Sequence, residues 1–583
     1  MNPIDIPDPV SDEARARDAF LHAAVARATH GISPIAVALA YLDWWAHLST
    51  SPGRQLELIR KAQRKLTRFA LYCASGPGEA GSAIEPLPQD RRFEHPDWQR
   101  RPFDLLQQSF LLTQQWLWNA TTGIRGVSNH HENVVAFVTR QWLDMFSPSN
   151  FFFTNPVVLN ETRHSYGMNL ARGAQNLAED VLRTIANRPP AGADAYRVGG
   201  NIAVTPGKVV FRNSLIELIQ YAPATPTVFP EPVLIVPSWI MKYYILDLSP
   251  GNSLVRYLVE RGHTVFMISW KNPDAEDRDL DMAAYLHRGV LAALDAISKV
   301  CRERRVHGVG YCLGGTLLAI GAAMLARESD WRLASVTLLA SELDFTEPGE
   351  LGLFIDESQI AFLEDLMWSR GYLDGKEMVG AFALLNSVDL VWSRMVHDYL
   401  MGRRAPFTDL MAWNADATRM PYRMHVEYLR RFYLHNDLAE GRFEVDGRPV
   451  ALTDVRAPFF VVGTERDHVS PWKSVYKVHL LTDTEVTFVL TTGGHNVGIV
   501  NPPREGESKT WGYRTALHAA DAQYRDPDLW YRQASRCTGS WWPAWTAWLA
   551  EHSGERVAAP ATGAPERGLP ALDDAPGRYV LAP

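Results

Sequence analysis

Six residues, Gly310-Tyr311-Cys312-Leu313-Gly314-Gly315, constrain this chain more than any other stretch. They lie between a short β-rich run at 305–309 and an Ala/Leu-rich run at 316–325 that reads as a helix. A strand that turns at once into a helix forces the turn residue into a strained backbone, and its neighbours two residues away must lack Cβ atoms. Gly310 and Gly314 meet that requirement, and the residue between them is a thiol. Such a turn presents its side chain at the carboxyl end of a strand, where α/β sheets gather their reactive groups.

This frame is the nucleophile elbow of α/β-hydrolases with cysteine in place of serine. In that fold the acid and the base follow the nucleophile in the chain, each after a later strand. Past the apolar run at 459–462, Gly463-Thr464-Glu465-Arg466-Asp467-His468 supplies Asp467 as the acid. Past the run at 486–490, Thr491-Thr492-Gly493-Gly494-His495-Asn496 supplies His495 as the base. The oxyanion hole is expected from the backbone N–H of Leu313 and one after the run at 233–236, with Ile240 the candidate.

Buried-type runs at 233–236, 264–269, 305–309, 335–339, 459–462 and 486–490, mostly separated by helical segments, predict a parallel sheet covered on both faces. Pro206-Gly207, flanked by 202–205 and 208–211, reads as a hairpin, and 215–220 as a strand. More than 100 residues separate the strand near Val336 from the strand near Phe460, and 358–438 is largely helical, so a cap over the site is expected. The predicted class is α/β: an α/β-hydrolase fold with a large helical cap insertion and a mainly helical N-terminal domain. At 583 residues two or more folding units are expected. They are a helical extension and Gly/Pro/Ser-rich linker over 1–89, a mainly helical domain over 90–194, and a catalytic domain over 195–549 with its cap at about 345–450. A Pro/Ala/Gly-rich tail over 550–583 reads as loosely ordered.

Composition removes other classes. A net charge of −8 opposes a nucleic-acid partner. The first ten residues lack the basic and apolar regions of a secretory leader, and no run is long and apolar enough to span a bilayer. Four widely spaced cysteines suggest neither a zinc site nor a disulfide framework, so a reducing cytoplasm is expected. His130-His131-Glu132 lacks ligand spacing and reads as a solvated turn, so no metal is expected. Gly308-x-Gly310 has Leu313 where a dinucleotide fingerprint needs its last glycine, and no cofactor is expected. His307 reads as a packed neighbour, Glu465 as a surface charge, and His468 as a supporting residue on the acid's loop.

Cysteine as nucleophile carries a further implication. An acyl-cysteine is a thioester, so an acyl group taken from another thioester keeps its activation for a later hydroxyl acceptor. A cysteine elbow under a cap that excludes water suits transfer from acyl-CoA to a hydroxyl. CoA thioester is then substrate, not cofactor.

Motifs along the chain resemble the polyhydroxyalkanoate synthases, particularly the long single-chain (class I-like) type. They include Asp90-Arg91-Arg92-Phe93, Ser147-Pro148-Ser149-Asn150-Phe151, Ser269-Trp270-Lys271-Asn272-Pro273-Asp274, the elbow itself, Trp413-Asn414-Ala415-Asp416-Ala417-Thr418, Gly494-His495-Asn496 and Gly539-Ser540-Trp541-Trp542-Pro543. Tyr41-Leu42-Asp43-Trp44 is similar to an accessory N-terminal region of some members. The resemblance implies polymerisation of (R)-3-hydroxyacyl-CoA into polyester with release of CoA, Cys312 carrying the acyl group. His495 would activate the thiol, and Asp467 would support it or deprotonate the incoming hydroxyl. It also implies a homodimer at the surface of cytoplasmic polyester granules, the growing chain being a partner. Two departures stand out: Pro237-Ser238-Trp239-Ile240-Met241-Lys242 where the family commonly reads Pro-Pro-Cys-Ile-Asn-Lys, and Asn386-Ser387-Val388 in place of Arg-Pro-Asn. Rival readings are a cysteine thioesterase or depolymerase on the same fold, and a catalytically weak granule-bound assembly protein.

Overall fold

A computed structural model describes residues 12–29, 31–75, 81–302, 304–375, 377–378, 380, 388–503 and 511–582. The chain forms two compact units. One comprises Met1–Val25, Ala193–Met378 and Thr408–Pro583; the other comprises Ala26–Gly192 and Val379–Phe407.

The first unit is organised on a ten-stranded sheet. Its strands are β1 (Gly207–Arg212), β2 (Ile216–Tyr221), β3 (Val233–Val236), β4 (Val265–Trp270), β5 (Val306–Tyr311), β6 (Leu333–Leu339), β7 (Phe459–Thr464), β8 (Val486–Thr491), β9 (Gly512–His518) and β10 (Ser535–Thr538). The spatial order is β1-β2-β4-β3-β5-β6-β7-β8-β9-β10. The six strands from β4 to β8 in that order are parallel, and the pairings at both edges are antiparallel. Every residue of β2 through β7 is buried, because helices cover both faces. Their sequences are therefore mainly apolar without strict alternation, with Glu217 and Gln220 in β2 and His307 in β5 as buried polar exceptions. β9 and β10 are half-buried or exposed, carry Tyr513, Arg514 and Arg536, and have no such signature.

Register places the functional loops side by side. Val236 pairs with Gly310, so the loop after β3 leaves the sheet beside the elbow. Thr464 pairs with Thr491, so the loops bearing Asp467 and His495 start level. Between β6 and β7 lie helices Glu357–Trp368, Asp409–Ala415 and Tyr422–Tyr428, the last continuing as a π-helix over Leu429–Leu434.

Two expectations in this unit are corrected. The hairpin is β1–β2, not a turn at Pro206-Gly207: Gly207 starts β1, and 202–205 is not a strand. The turn forms at Asn213, whose Oδ1 accepts from the N–H of Leu215 and of Ile216, both at 2.8 Å. The tail is not loose. Val209 N–H donates to the Asp573 carbonyl and Leu572 N–H to the Val209 carbonyl, each at 2.8 Å, which ties the tail to β1. Glu217 Oε2 accepts from the N–H of Arg578 and of Tyr579, both at 2.9 Å, and Lys242 Nζ donates to the Ala582 carbonyl at 2.7 Å. Composition misleads there because the tail borrows its backbone partners from the sheet edge.

The second unit is helical, with helices Pro34–Ser49, Pro52–Ala74, Phe103–Thr121, Asn129–Met145, Pro156–His164 and Met168–Ile185. Arg92 is pinned between Asp90 and Asp144, all three nearly excluded from solvent, beside a core of Phe93, Trp98, Phe110 and Leu111. Residues 81–89 are not a free linker: Ile84 exchanges hydrogen bonds with the Gln108 side chain (2.8 and 3.2 Å), and Ala83 is buried. Residues 76–80 of the expected linker lie outside the described residues. His130-His131-Glu132 opens the Asn129–Met145 helix instead of forming a turn. Ser128 caps that helix, His131 Nδ1 sits 2.7 Å from Asp43 Oδ2, and Glu132 accepts from Gly123 N–H.

Candidate active site

The elbow takes the form its glycines require. β5 ends at Tyr311, Cys312 adopts φ +51° and ψ −124°, and a helix runs over Leu313–Arg327. A positive φ at a non-glycine residue is strained and persists only where its surroundings enforce it. Here a Cβ on Gly310 would lie 2.2 Å from Gly315 Cα, and one on Gly314 would lie 2.1 Å from the Val236 carbonyl oxygen. Strand, helix and the loop after β3 thus close on Cys312, leaving it 8% exposed.

Asp467 sits just past β7 with no solvent access to its side chain. Its Oδ1 accepts from the N–H of Val469 (2.9 Å) and Ser470 (2.8 Å), and Oδ2 accepts from the Thr464 hydroxyl (2.9 Å). His495 Nδ1 lies 2.8 Å from the same Oδ2. Burial pushes the Asp467 carboxyl up, but the facing His495 and these donors outweigh it and hold it below the usual value. For His495 burial pushes down, yet the charges of Asp467 and Cys312 and hydrogen bonds to both raise it well above the ordinary imidazole value. With Nδ1 engaged by Asp467, the nitrogen left for the Cys312 thiol is Nε2. The Tyr311 ring stands 5.8 Å from the imidazole, and its hydroxyl donates to Asn496 Oδ1 at 2.5 Å.

Cys312, Asp467 and His495 thus meet, and the other candidates fall elsewhere. His468 is exposed. His307 is buried between Ser335 Oγ (2.7 Å) and Ser553 Oγ (2.9 Å), and burial lowers its pKa to about 3. Glu465 is not a free surface charge: it is half-buried and accepts from the Tyr531 hydroxyl at 3.2 Å. Leu313 is the first helical residue, so its N–H has no intrahelical acceptor. Ile240 lies in the loop after β3, where Thr418 N–H donates to its carbonyl and the Thr418 hydroxyl donates to the Trp239 carbonyl. Among the described residues no group of three His, Cys, Asp or Glu side chains could hold a metal ion.

Besides Trp239, already marked in the sequence as a departure, several wall residues escaped the sequence reading. Trp239 is buried against Tyr285 (5.8 Å) and Tyr428 (6.2 Å), and Tyr428 packs on Phe345 and Tyr433. The Tyr428 hydroxyl donates to Tyr433 at 3.3 Å, and burial raises both phenols, with Cys312 adding to it. Glu342, just past β6, is buried beside the same groups. No motif marks Tyr428, Tyr433, Phe345 or Glu342, although Glu342 shares its place after a strand with Asp467.

The sequence matches the family "Poly-beta-hydroxybutyrate polymerase (PhaC) N-terminus" over residues 89–258. It matches "Poly-beta-hydroxybutyrate polymerase N terminal" over 12–54 and "alpha/beta hydrolase fold" over 231–502. It is 43% identical to the poly(3-hydroxyalkanoate) polymerase of Methylorubrum extorquens, over 90% of this chain and 87% of that one. It is 41% identical to the corresponding polymerase subunit of Rhizobium etli (86% and 79%) and 36% identical to that of Cupriavidus necator (93% and 90%). The chain belongs to the poly(3-hydroxyalkanoate) polymerase family. Membership makes it an acyltransferase on the α/β-hydrolase fold. In this polymerase-family member, the departure at Trp239 is a packed part of the wall around the cysteine. Asn386 and Ser387 of the second departure lie outside the described residues. Among the described residues no helix is long and apolar enough to cross a membrane.

Proposed function

We propose that this chain polymerises (R)-3-hydroxyacyl-CoA into polyhydroxyalkanoate through an acyl-cysteine at Cys312. The observation that carries the reading is the His495–Asp467 pair, 2.8 Å between Nδ1 and Oδ2, set against a cysteine in a strained elbow. His495 takes the thiol proton, and Sγ attacks the thioester carbonyl. The carbonyl oxygen becomes an oxyanion facing the N–H of Leu313, with Ile240 the second candidate donor. Collapse expels the CoA thiolate, which leaves with the proton held by His495, and a new thioester remains on Cys312. A hydroxyl oxygen from a second hydroxyacyl unit then attacks that thioester, losing its proton to His495 or Asp467. The ester bond forms as the Cys312 thiol is released. CoA thioester is substrate throughout, and no bound cofactor takes part.

The motifs support assigning the enzyme to the surface of cytoplasmic polyester granules as a homodimer. Granule fractionation and sedimentation check this.

The deciding experiment incubates the full chain with C4 to C10 (R)-3-hydroxyacyl-CoAs and follows CoA release and polymer mass together. Polymer growing in step with CoA is the expected result. CoA release with soluble hydroxy acid and no polymer would make the chain a thioesterase instead.

A further inference from the structure

Glu342 is a second buried carboxyl in the wall around Cys312, and the mechanism above gives it no task. It is 4% exposed, and its Oε1 has no hydrogen-bond partner among the described residues. Its backbone is fixed: the carbonyl accepts from the hydroxyl of Thr316, on the elbow helix, at 2.8 Å. The position is thus held relative to Cys312 by the turn that holds the nucleophile. Cys312, Asp467 and His495 and the phenols of Tyr428 and Tyr433 lie near enough to act on or feel its charge. A buried polar atom left without a partner is costly, and where it persists it calls for a reason, such as a ligand that supplies the missing bond.

Its protonation state limits what that ligand can be. Burial pushes the Glu342 carboxyl well above its ordinary value. Asp467 and Cys312 push the same way, and His495 only partly opposes them. These influences favour the protonated acid over the carboxylate. In that form it can donate through its O–H and accept through its other oxygen, which suits a neutral oxygen function.

Resting on the acyl-cysteine reading of Cys312, we propose that the Glu342 carboxyl binds the oxygen on C3 of the acyl group carried by the cysteine, and so selects 3-oxygenated acyl chains. The free 3-hydroxyl of a newly loaded unit both donates to and accepts from it. Once that oxygen is esterified, it still accepts the acid proton. The aromatic wall of Trp239, Tyr428 and Phe345 is left to contact the carbon chain. A site built to hydrogen-bond a substrate hydroxyl discriminates strongly against the analogue lacking it, because its own polar group is then stranded.

The test compares (R)-3-hydroxybutyryl-CoA with butyryl-CoA, which lacks the C3 oxygen. CoA release and the mass of acylated Cys312 are followed in single turnovers of the full chain and of Glu342→Gln and Glu342→Leu. The wild-type chain is expected to prefer the hydroxyacyl thioester at least about tenfold in kcat/KM. Glu342→Leu is expected to collapse that ratio toward one. Glu342→Gln, which keeps a neutral donor and acceptor, is expected to retain most of it. A wild-type ratio near one overturns the assignment without any variant. So does a Leu variant that slows both thioesters equally, which is the mark of a structural role. If neither thioester acylates wild-type Cys312, the acyl-cysteine reading itself is lost, and the Glu342 assignment with it.

Discussion

His495 and Asp467 share one hydrogen bond but not one environment: the Asp467 side chain has no solvent access, whereas His495 keeps 14% of its side-chain surface. The carboxylate is therefore the fixed member, tied by Thr464, Val469 and Ser470, and the imidazole is the member that keeps some contact with solvent.

Asp467→Asn tests that division. Its amide oxygen would stay on the N–H groups of Val469 and Ser470, turning the NH2 toward His495 Nδ1. Nδ1 would then have to accept, leaving the proton on the nitrogen that faces Cys312. The wrong tautomer cannot take the thiol proton. Single-turnover CoA release should fall by about 10³- to 10⁴-fold with the fold retained. A loss under tenfold would mean that Asp467 does not orient the base.

Gly314→Ala probes the elbow from the other side. The added Cβ would lie 2.1 Å from the Val236 carbonyl oxygen and 2.5 Å from that of Pro237, both backbone atoms that cannot swing aside. Either the helix retreats from Cys312 or the loop bearing Ile240 shifts. Loss of an oxyanion donor alone is worth about 10²- to 10³-fold in kcat. Acylation should fall by at least that much, together with a lowered Tm. Wild-type rates would rule out the close packing.

Acid stability follows from four buried histidines. Burial lowers His307 and His479 to about 3 and His263 and His425 to about 4 from an ordinary 6.5. Below pH 6.5 the unfolded chain takes up protons that the folded chain refuses, so stability falls as pH falls toward those values. Each histidine contributes a slope of up to about 1.4 kcal/mol per pH unit. Asp467, lowered when folded, adds a loss further down, as pH falls through its folded value. His495, raised when folded, contributes stability below 6.5 that is lost as pH rises through its folded value, so it only partly offsets the others. Denaturant midpoints should drop steeply from pH 6.5 to 5, and His307→Gln should flatten the slope. An unchanged slope in that variant would show that His307 is already charged in the fold.

Removing residues 572–582 tests the tail. Glu217 has no solvent access and would lose the N–H donors of Arg578 and Tyr579, keeping only the partly exposed Arg212 as a partner. Stranding a buried carboxylate in this way should cost about 3 kcal/mol or more. A truncated chain with unchanged denaturation would show that β1 and β2 do not depend on this strap.

What could be read from the sequence alone follows a physical line. Cys312, Asp467 and His495 were legible because each follows its strand within a few residues, and an elbow imposes its glycines on adjacent positions. The strands β2 through β7 were legible because burial on both faces leaves mainly apolar runs, interrupted by buried polar residues such as Glu217 in β2 and His307 in β5. β9 and β10 were not, since strands at the partly exposed end of the sheet need only backbone partners and tolerate Arg514 and Arg536. The tail misled for the same reason: its order comes from Val209 and Glu217, more than 350 residues earlier in the chain. Glu342 is the sharpest case. As a residue it is an ordinary acid after a strand. Its burial, its unpartnered oxygen and the upward push on its carboxyl come from segments far apart in the chain: β6, the elbow helix and the loops bearing Asp467 and His495. Local backbone geometry is written in neighbouring residues, and the sequence by itself determined which cysteine, carboxyl and imidazole stand just past their strands. Electrostatic environment sums over segments distant in the chain, and only the tertiary structure decided what surrounds them.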